Sequence, residues 1–227
     1  SQIALAVTSV AIFSSSATVG IMCSVVMKLI GCWSLDRAVI LGGGLIGSLA
    51  FAFSDSFWTS ATEAEVYNMS NLFVVLILWS ALKFIESDSC TRFRYLLLIS
   101  FLVGSAVGVH LLSLLTLPAV ALVIFFRKEK PIWNIGMAGL GLLATLIIEY
   151  LVIPAPMILS DAIEIILVNQ FKLPFFSGVL IVYLLLLAAF LGLSFQMNKK
   201  PMLQLFALSV FFMMLGSGTY TVAVLRA

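Results

Sequence analysis

The sequence predicts an all-α integral membrane protein, a bundle of about eight transmembrane helices, and three observations carry that prediction. Of the 227 residues, 63% are hydrophobic and only 10% charged, against about 45–50% and about 25% in an ordinary soluble domain. The mean hydropathy is +1.21. The apolar residues fall in runs close to the length of about 20 that a helix needs to cross the hydrocarbon core. A small soluble fold has too much surface to hide so many apolar side chains, whereas a lipid solvent removes the need to hide them. The net charge of +2 gives no basic footprint, so no nucleic-acid partner is expected.

The first span covers residues 3–30 and is continuous except for Ser14-Ser15-Ser16 at its middle. The second, 38–53, is short and glycine-rich, and Gly43 and Gly47 have the spacing that lets two helices approach closely. A third span covers 66–85. Residues 95–126 form an apolar stretch of 32 residues, too long for one crossing, and it divides near His110 and Ser113 into spans 95–110 and 111–126. Gly104 and Gly108 repeat the small-residue spacing there. Spans 134–153, 178–195 and 202–222 complete eight. Before the seventh, the string ILSDAIEIILV gathers its charges on one face, as in a helix lying in the membrane interface around 157–168. No linker or repeat interrupts the chain, which reads as one transmembrane domain over 1–227.

Alternating spans sort the charges. One set of loops holds ten cations, Lys28, Arg37, Lys83, Arg92, Arg94, Arg127, Lys128, Lys130, Lys199 and Lys200, and the other holds two, Lys172 and Arg226. That asymmetry marks the first set as cytoplasmic. The opposite, outer face carries Asp55, Glu63, Glu65, Glu149, Asp161 and Glu164, six of the ten acids. Cys23, Cys32 and Cys90 lack ligand spacing and read as small buried hydrophobes. The apolar run that begins at Ile3 has no basic n-region before it, so the start reads as a cut end rather than a signal peptide.

The outer loop between the second and third spans, Phe51 to Phe73, holds the most chemistry. Trp58 and Tyr67 suit the interfacial level. Glu63 and Glu65 stand two apart, opposite on a helix and alike on an extended segment, so one could face a cavity while the other caps the third span. Solvated loop acids plus a helix cap are the plain alternative. Asn68-Met69-Ser70 matches the glycosylation sequon, but it sits at the start of a membrane helix, where no glycan is expected. His110, the one histidine, lies 15 residues past Tyr95, about 22 Å up a helix and so near the outer surface. Ionisable groups at membrane level are functional candidates by default, though packing alone would account for it. Arg226 and Lys172 are the outer cations and would suit a phosphate, or would simply snorkel.

The strings FSDSFWTSATEAEVYNMSNLF and RFRYLLLISFLVGSAVGVHLLSLLTLPAVALV, with the later VNQFKLPFFSG and GTYTVAVLRA, resemble the membrane core of the transmembrane protein 260-like family, common in Bacteroidetes. The resemblance runs from about Ala38 onward, and Ser-Asp-Ser-Phe-Trp, Glu-Val-Tyr and Gly-Val-His-Leu-Leu are its specific parts. It implies a GT-C-type glycosyltransferase that moves a sugar, by the family's activity mannose, from a polyprenyl-phosphate donor to Ser or Thr of an acceptor protein at the outer or lumenal face. The chemistry asks for a carboxylate base, cations for the leaving phosphate and a membrane-level groove for the lipid.

The resemblance further implies Glu63, Glu65 and Asp55 as the acids of the site, and Trp58, Tyr67, His110 and Arg226 as substrate-binding residues. The cofactor is left open, a divalent cation being the group such acids could hold. The family also has an essential acid in an Asp-Ser-Gly-Glu-like stretch upstream. That string does not occur between Ser1 and Ala227, so a longer enzyme is expected, with a first helix and loop before this chain and an outer domain after it. A bacterial inner membrane is the expected location, or the endoplasmic reticulum in a eukaryote. Two rivals stand beside the transferase: a transporter of a lipid-linked sugar, and a non-catalytic subunit of a membrane complex.

Overall fold

Helix is the only regular backbone among the described residues, as a lipid solvent requires, because each helix satisfies its own backbone hydrogen bonds. The computed structural model describes residues 2–63, 66–125, 131–147 and 155–224. The elements are α1 (Gln2–Gly31), α2 (Arg37–Ala52), α3 (Asp55–Thr62), α4 (Tyr67–Glu86), α5 (Ser89–Val107), a 3-10 turn (Leu111–Leu115), α6 (Thr116–Phe125), α7 (Pro131–Ile147), α8 (Ala155–Phe171), α9 (Ser177–Gln196) and α10 (Pro201–Val224). Every expected span has a helix at its place, and the break at 108–110 separates α5 from the next element as the length argument predicts.

The expected eight crossings are not reached by length and composition among the described residues. Four helices qualify, Ala4–Gly31, Tyr67–Glu86, Ser177–Gln196 and Pro201–Gly218, and a fifth if α2 and α3, bent by 62°, count as one broken span. α5 places Arg92 and Arg94 in its first turns, so its apolar part is short, and α6 has only 10 residues. α7 has 17 residues, and the end of the expected span 134–153, with Glu149, lies outside the described residues. The helix expected at 157–168 is α8, somewhat longer than foreseen.

Neighbouring helices pack in the order α2, α1, α4, α5, α10, α9, α8, while α6 and the 3-10 turn lie against α4 and α7 against α6. The outside of this row is oily: Leu5, Phe13, Ile46 and Phe195 are each 72% exposed. A soluble protein could not carry that surface. The core forms where α4, α5 and α6 meet, around Ile77, Ala81, Ile99, Leu102, Leu117 and Val120.

Small residues make the tightest contacts. On α2, a methyl added at Gly43 would strike Ile30, at Gly44 Met27 and at Gly47 Val26, all on α1. The pairing of 43 with 30 and 47 with 26 makes α1 and α2 antiparallel. Between α5 and α10 the approach is closer still. A Cβ on Gly104 would sit 1.8 Å from the Met213 carbonyl oxygen, and one on Gly216 would sit 2.2 Å from that of Phe101. Two buried hydroxyls of α1 are satisfied by the helix itself: that of Ser14 donates to the Val10 carbonyl and that of Thr18 to the Ser14 carbonyl, each at 2.7 Å.

Cations collect at one end of this row. Lys28, at the end of α1, donates to Glu86, at the end of α4, at 2.5 Å, and Lys83 lies 3.8 Å from the same carboxylate. Trp79 of α4 meets Tyr95 of α5 edge-on at 6.3 Å, which brings Arg92 and Arg94 to that end as well. Arg127, Lys128 and Lys130 lie outside the described residues.

Candidate active site

The opposite end of the bundle is built by three breaks in the chain: the bend between α2 and α3, the loop between α3 and α4, and the turn after α5. Helix α3 is short because its sequence, DSFWTSAT, has only one residue that the bundle buries. That residue is Phe57, which tilts against Phe51 of α2 with ring centres 4.4 Å apart. With Phe57 as anchor, Trp58 turns outward, 55% exposed, and stacks on Phe53 at 5.7 Å. Asp55 stands exposed in the first turn of α3, where the helix dipole favours a carboxylate.

Glu63 closes α3. Its backbone N–H donates to the Thr59 carbonyl at 3.1 Å, and its side chain is exposed. The eight residues of α3 separate Asp55 from Glu63 by about 12 Å along the axis. Asp55 and Glu63 therefore stand at opposite ends of α3 rather than together. Neither joins either of the two ion pairs among the described residues. Nor do three His, Cys, Asp or Glu side chains come together to hold a metal ion there. Glu65 and Arg226 lie outside the described residues.

Tyr67 and His110, 43 positions apart in sequence, are brought together: their rings lie 5.1 Å apart, tilted by 48°. Tyr67 begins α4. His110 sits in the turn that ends α5, its N–H donating to the Ala106 carbonyl at 2.9 Å. Its own carbonyl accepts the hydroxyl of the fully buried Ser113 at 2.7 Å. This bond converts the chain into the 3-10 turn, so the GVHLLS string is a turn motif as well as a candidate binding one.

Next to this pair lies a cavity of about 310 Å³ between α1, the start of α4 and the turn after α5. Val10, Ala11 and Ser14 form one wall, and Val66, Met69 and Val109 another. Val66 and Val109 each adjoin a member of the Tyr67–His110 pair, so a polar rim stands beside an apolar hole.

Asn68 is the residue that sequence reasoning missed. In the sequence it stands out only as part of a sequon, yet it is fully buried, and its amide nitrogen donates to the Glu63 carbonyl at 3.1 Å. That bond fastens the loop bearing Glu63 to the first turn of α4. Complete burial also closes the sequon to a glycan in the folded chain. Glu164, grouped by charge with the outer acids, has a structural task instead. From α8 its carboxylate accepts the N–H of Phe176 at 2.5 Å and of Gly178 at 2.6 Å, capping α9.

The oily exterior, the membrane-length helices and the polar rim at one end define an integral membrane protein with a candidate site where its helices break. A family model described as the protein O-mannosyl-transferase TMEM260 N-terminal domain matches residues 1–133. That is more than half of the chain, which belongs to this family, and its function is accordingly related to protein O-mannosyl transfer, with a sugar donor and a protein acceptor. The match begins at residue 1 rather than near Ala38 and takes in α1. It includes Asp55, Trp58, Glu63, Glu65, Tyr67 and His110, while VNQFKLPFFSG, GTYTVAVLRA and Arg226 fall beyond it. No curated protein and no solved structure matches the chain.

Proposed function

We propose that this chain forms the membrane core of a GT-C-type transferase that moves mannose from a polyprenyl-phosphate donor to a Ser or Thr hydroxyl of a protein, at the outer or lumenal face. The observation that carries the reading is the Tyr67–His110 pair next in sequence to two residues that line an apolar cavity, Val66 and Val109, with the exposed Glu63 tied to the same helix start through Asn68. An amphiphilic donor needs that combination, with polar groups for the sugar phosphate and an oily recess for the isoprenoid chain.

In the reaction, the acceptor oxygen attacks the anomeric carbon, the bond from that carbon to the phosphate oxygen breaks, and polyprenyl phosphate leaves. A carboxylate takes the hydroxyl proton, a role that falls to the family's Asp-Ser-Gly-Glu-like acid, while Glu63 or Glu65, with Asp55 nearby in sequence, supports the sugar or a metal. Trp58 and Tyr67 offer ring faces to the sugar, and His110 a hydrogen bond to it. Arg226 is the cation assigned to the leaving phosphate. A divalent cation held by the acids is compatible with this scheme. The basic end of the bundle would face the cytoplasm of a bacterial inner membrane, leaving the site on the outer side.

The test is sugar transfer by the full-length protein in detergent, supplied with polyprenyl-phosphate mannose and candidate acceptor proteins. Glu65→Gln and Glu63→Gln are expected to lower transfer by about 10²-fold, the size of losing one group that steadies the transition state. His110→Ala should weaken donor binding. Unchanged transfer in all three variants would remove this site. Donor moved across liposomes without any transfer would favour the transporter instead.

A further inference from the structure

At the basic end, two arginines of one helix behave differently. Arg92 is turned into the protein: its guanidinium donates to the Ser87 carbonyl at 3.2 Å and lies 5.7 Å from the Phe84 ring centre. Arg94 is exposed, and the two ion pairs among the described residues do not include it. Instead it stands at the head of an open trough of about 410 Å³ between α5 and α10. The floor is Leu97, Leu98 and Phe101 of α5, and the far wall is Phe212 and Leu215 of α10.

Positions 94, 97, 98 and 101 recur on one helical face, so the trough rises from the cation as a continuous apolar stripe. From Arg94 to Phe101 it climbs about 10 Å at the helical rise. The close backbone contact through Gly104 and Gly216 fixes the two helices that form it. Its direction, from a charged interface toward the bilayer interior, is that of a lipid molecule.

We propose that this trough binds one anionic phospholipid of the leaflet at the basic end, its phosphate paired with Arg94 and one acyl chain laid along Leu98, Phe101 and Phe212. Charge complementarity selects the occupant. A zwitterionic lipid would leave Arg94 with a partner already balanced by its own ammonium group, whereas a net anionic headgroup pairs with a guanidinium that no ion pair among the described residues engages, at a surface rich in such lipids. The trough lies at the far end of α5 from His110, so this site is separate from the transferase site and does not depend on that reading.

Native mass spectrometry of the whole chain, released from detergent with phosphatidylglycerol, phosphatidylcholine or polyprenyl phosphate, tests it. Phosphatidylglycerol should be retained about fivefold over phosphatidylcholine, the ratio expected for one basic side chain at an anionic surface. Arg94→Gln should abolish the preference and Arg94→Lys should keep most of it. Leu98→Trp, which fills the trough, should lower retention of both lipids. Circular dichroism confirms that each variant keeps its helix content, and a variant that does not is replaced by Leu215→Trp from the opposite wall. Equal retention of the two phospholipids, or an unchanged preference in Arg94→Gln, overturns the proposal. So does stronger retention of polyprenyl phosphate, which would give the trough to the donor, or a lipid-free dimer that Leu98→Trp dissolves.

Discussion

Asn68 is fully buried with its amide nitrogen on the Glu63 carbonyl and its amide oxygen without a partner among the described residues. These two facts pull stability in opposite directions. Asn68→Ala loses a hydrogen bond but also removes a buried acceptor with nothing to accept, so the cost falls near the lower end of about 1–3 kcal/mol. Asn68→Asp is expected to cost more, because it sets a carboxylate against the Glu63 carbonyl in a dry place. Thermal unfolding in detergent should therefore rank the wild type above Ala and Ala above Asp, and intact-mass analysis should find no glycan at Asn68. The opposite rank would show that the loop is not held through this bond. At this scale the sequence could list the candidate acids and rings only by their order in the chain, and the contact of Tyr67 with His110 came from the fold. The sequence could not show that Asn68 turns inward, because a sequon reads the same on either face of a helix.

Elements were more legible than residues. A run of apolar residues near bilayer length announces a helix whatever surrounds it, and α1, α4, α9 and α10 begin and end within a few positions of the expected bounds. Helix α3 was not anticipated, since its eight residues, DSFWTSAT, are mostly polar and its one anchor, Phe57, is recognisable only against Phe51. Partnerships between elements far apart in sequence were equally hidden. The Gly104–Gly108 spacing promised a close neighbour without saying which, and the structure supplies α10, more than 90 positions on. Gly104→Val should force α5 from α10, costing about 1–3 kcal/mol for an overpacked contact, read as a lowered unfolding temperature. Gly20→Val, where a Cβ would meet nothing within 4 Å, is the matched control and should change little. Equal effects from the two would mean that propensity, not the α5–α10 contact, decides.

For the molecule as a whole, the charge count is the most economical guide to orientation. Lys28, Lys83, Arg92 and Arg94 do gather at one end of the packed helices, and the candidate site lies at the other. Cys32, exposed just past the end of α1, reports on the basic end. In intact bacterial cells a membrane-impermeant maleimide should leave Cys32 unlabelled, and permeabilisation should expose it. Labelling without permeabilisation would invert the orientation and move the proposed site to the cytoplasm. The number of crossings was the least secure of the whole-molecule expectations. Counting assumed that each apolar run spans alone, whereas α5 gives its first turns to arginines and α2 reaches α3 only through a 62° bend.

The contact of Gly104 with α10 also bears on ancestry and on engineering. Gly104 lies inside the part of the chain that the family description covers, and Gly216 lies outside it. The two sides of that boundary nevertheless meet almost backbone to backbone, with only the small Ser105 side chain at the crossing to absorb a change. A relative's C-terminal third could therefore be grafted here only if it brings a residue as small as glycine to the same crossing. The boundary that divides the sequence does not divide the molecule.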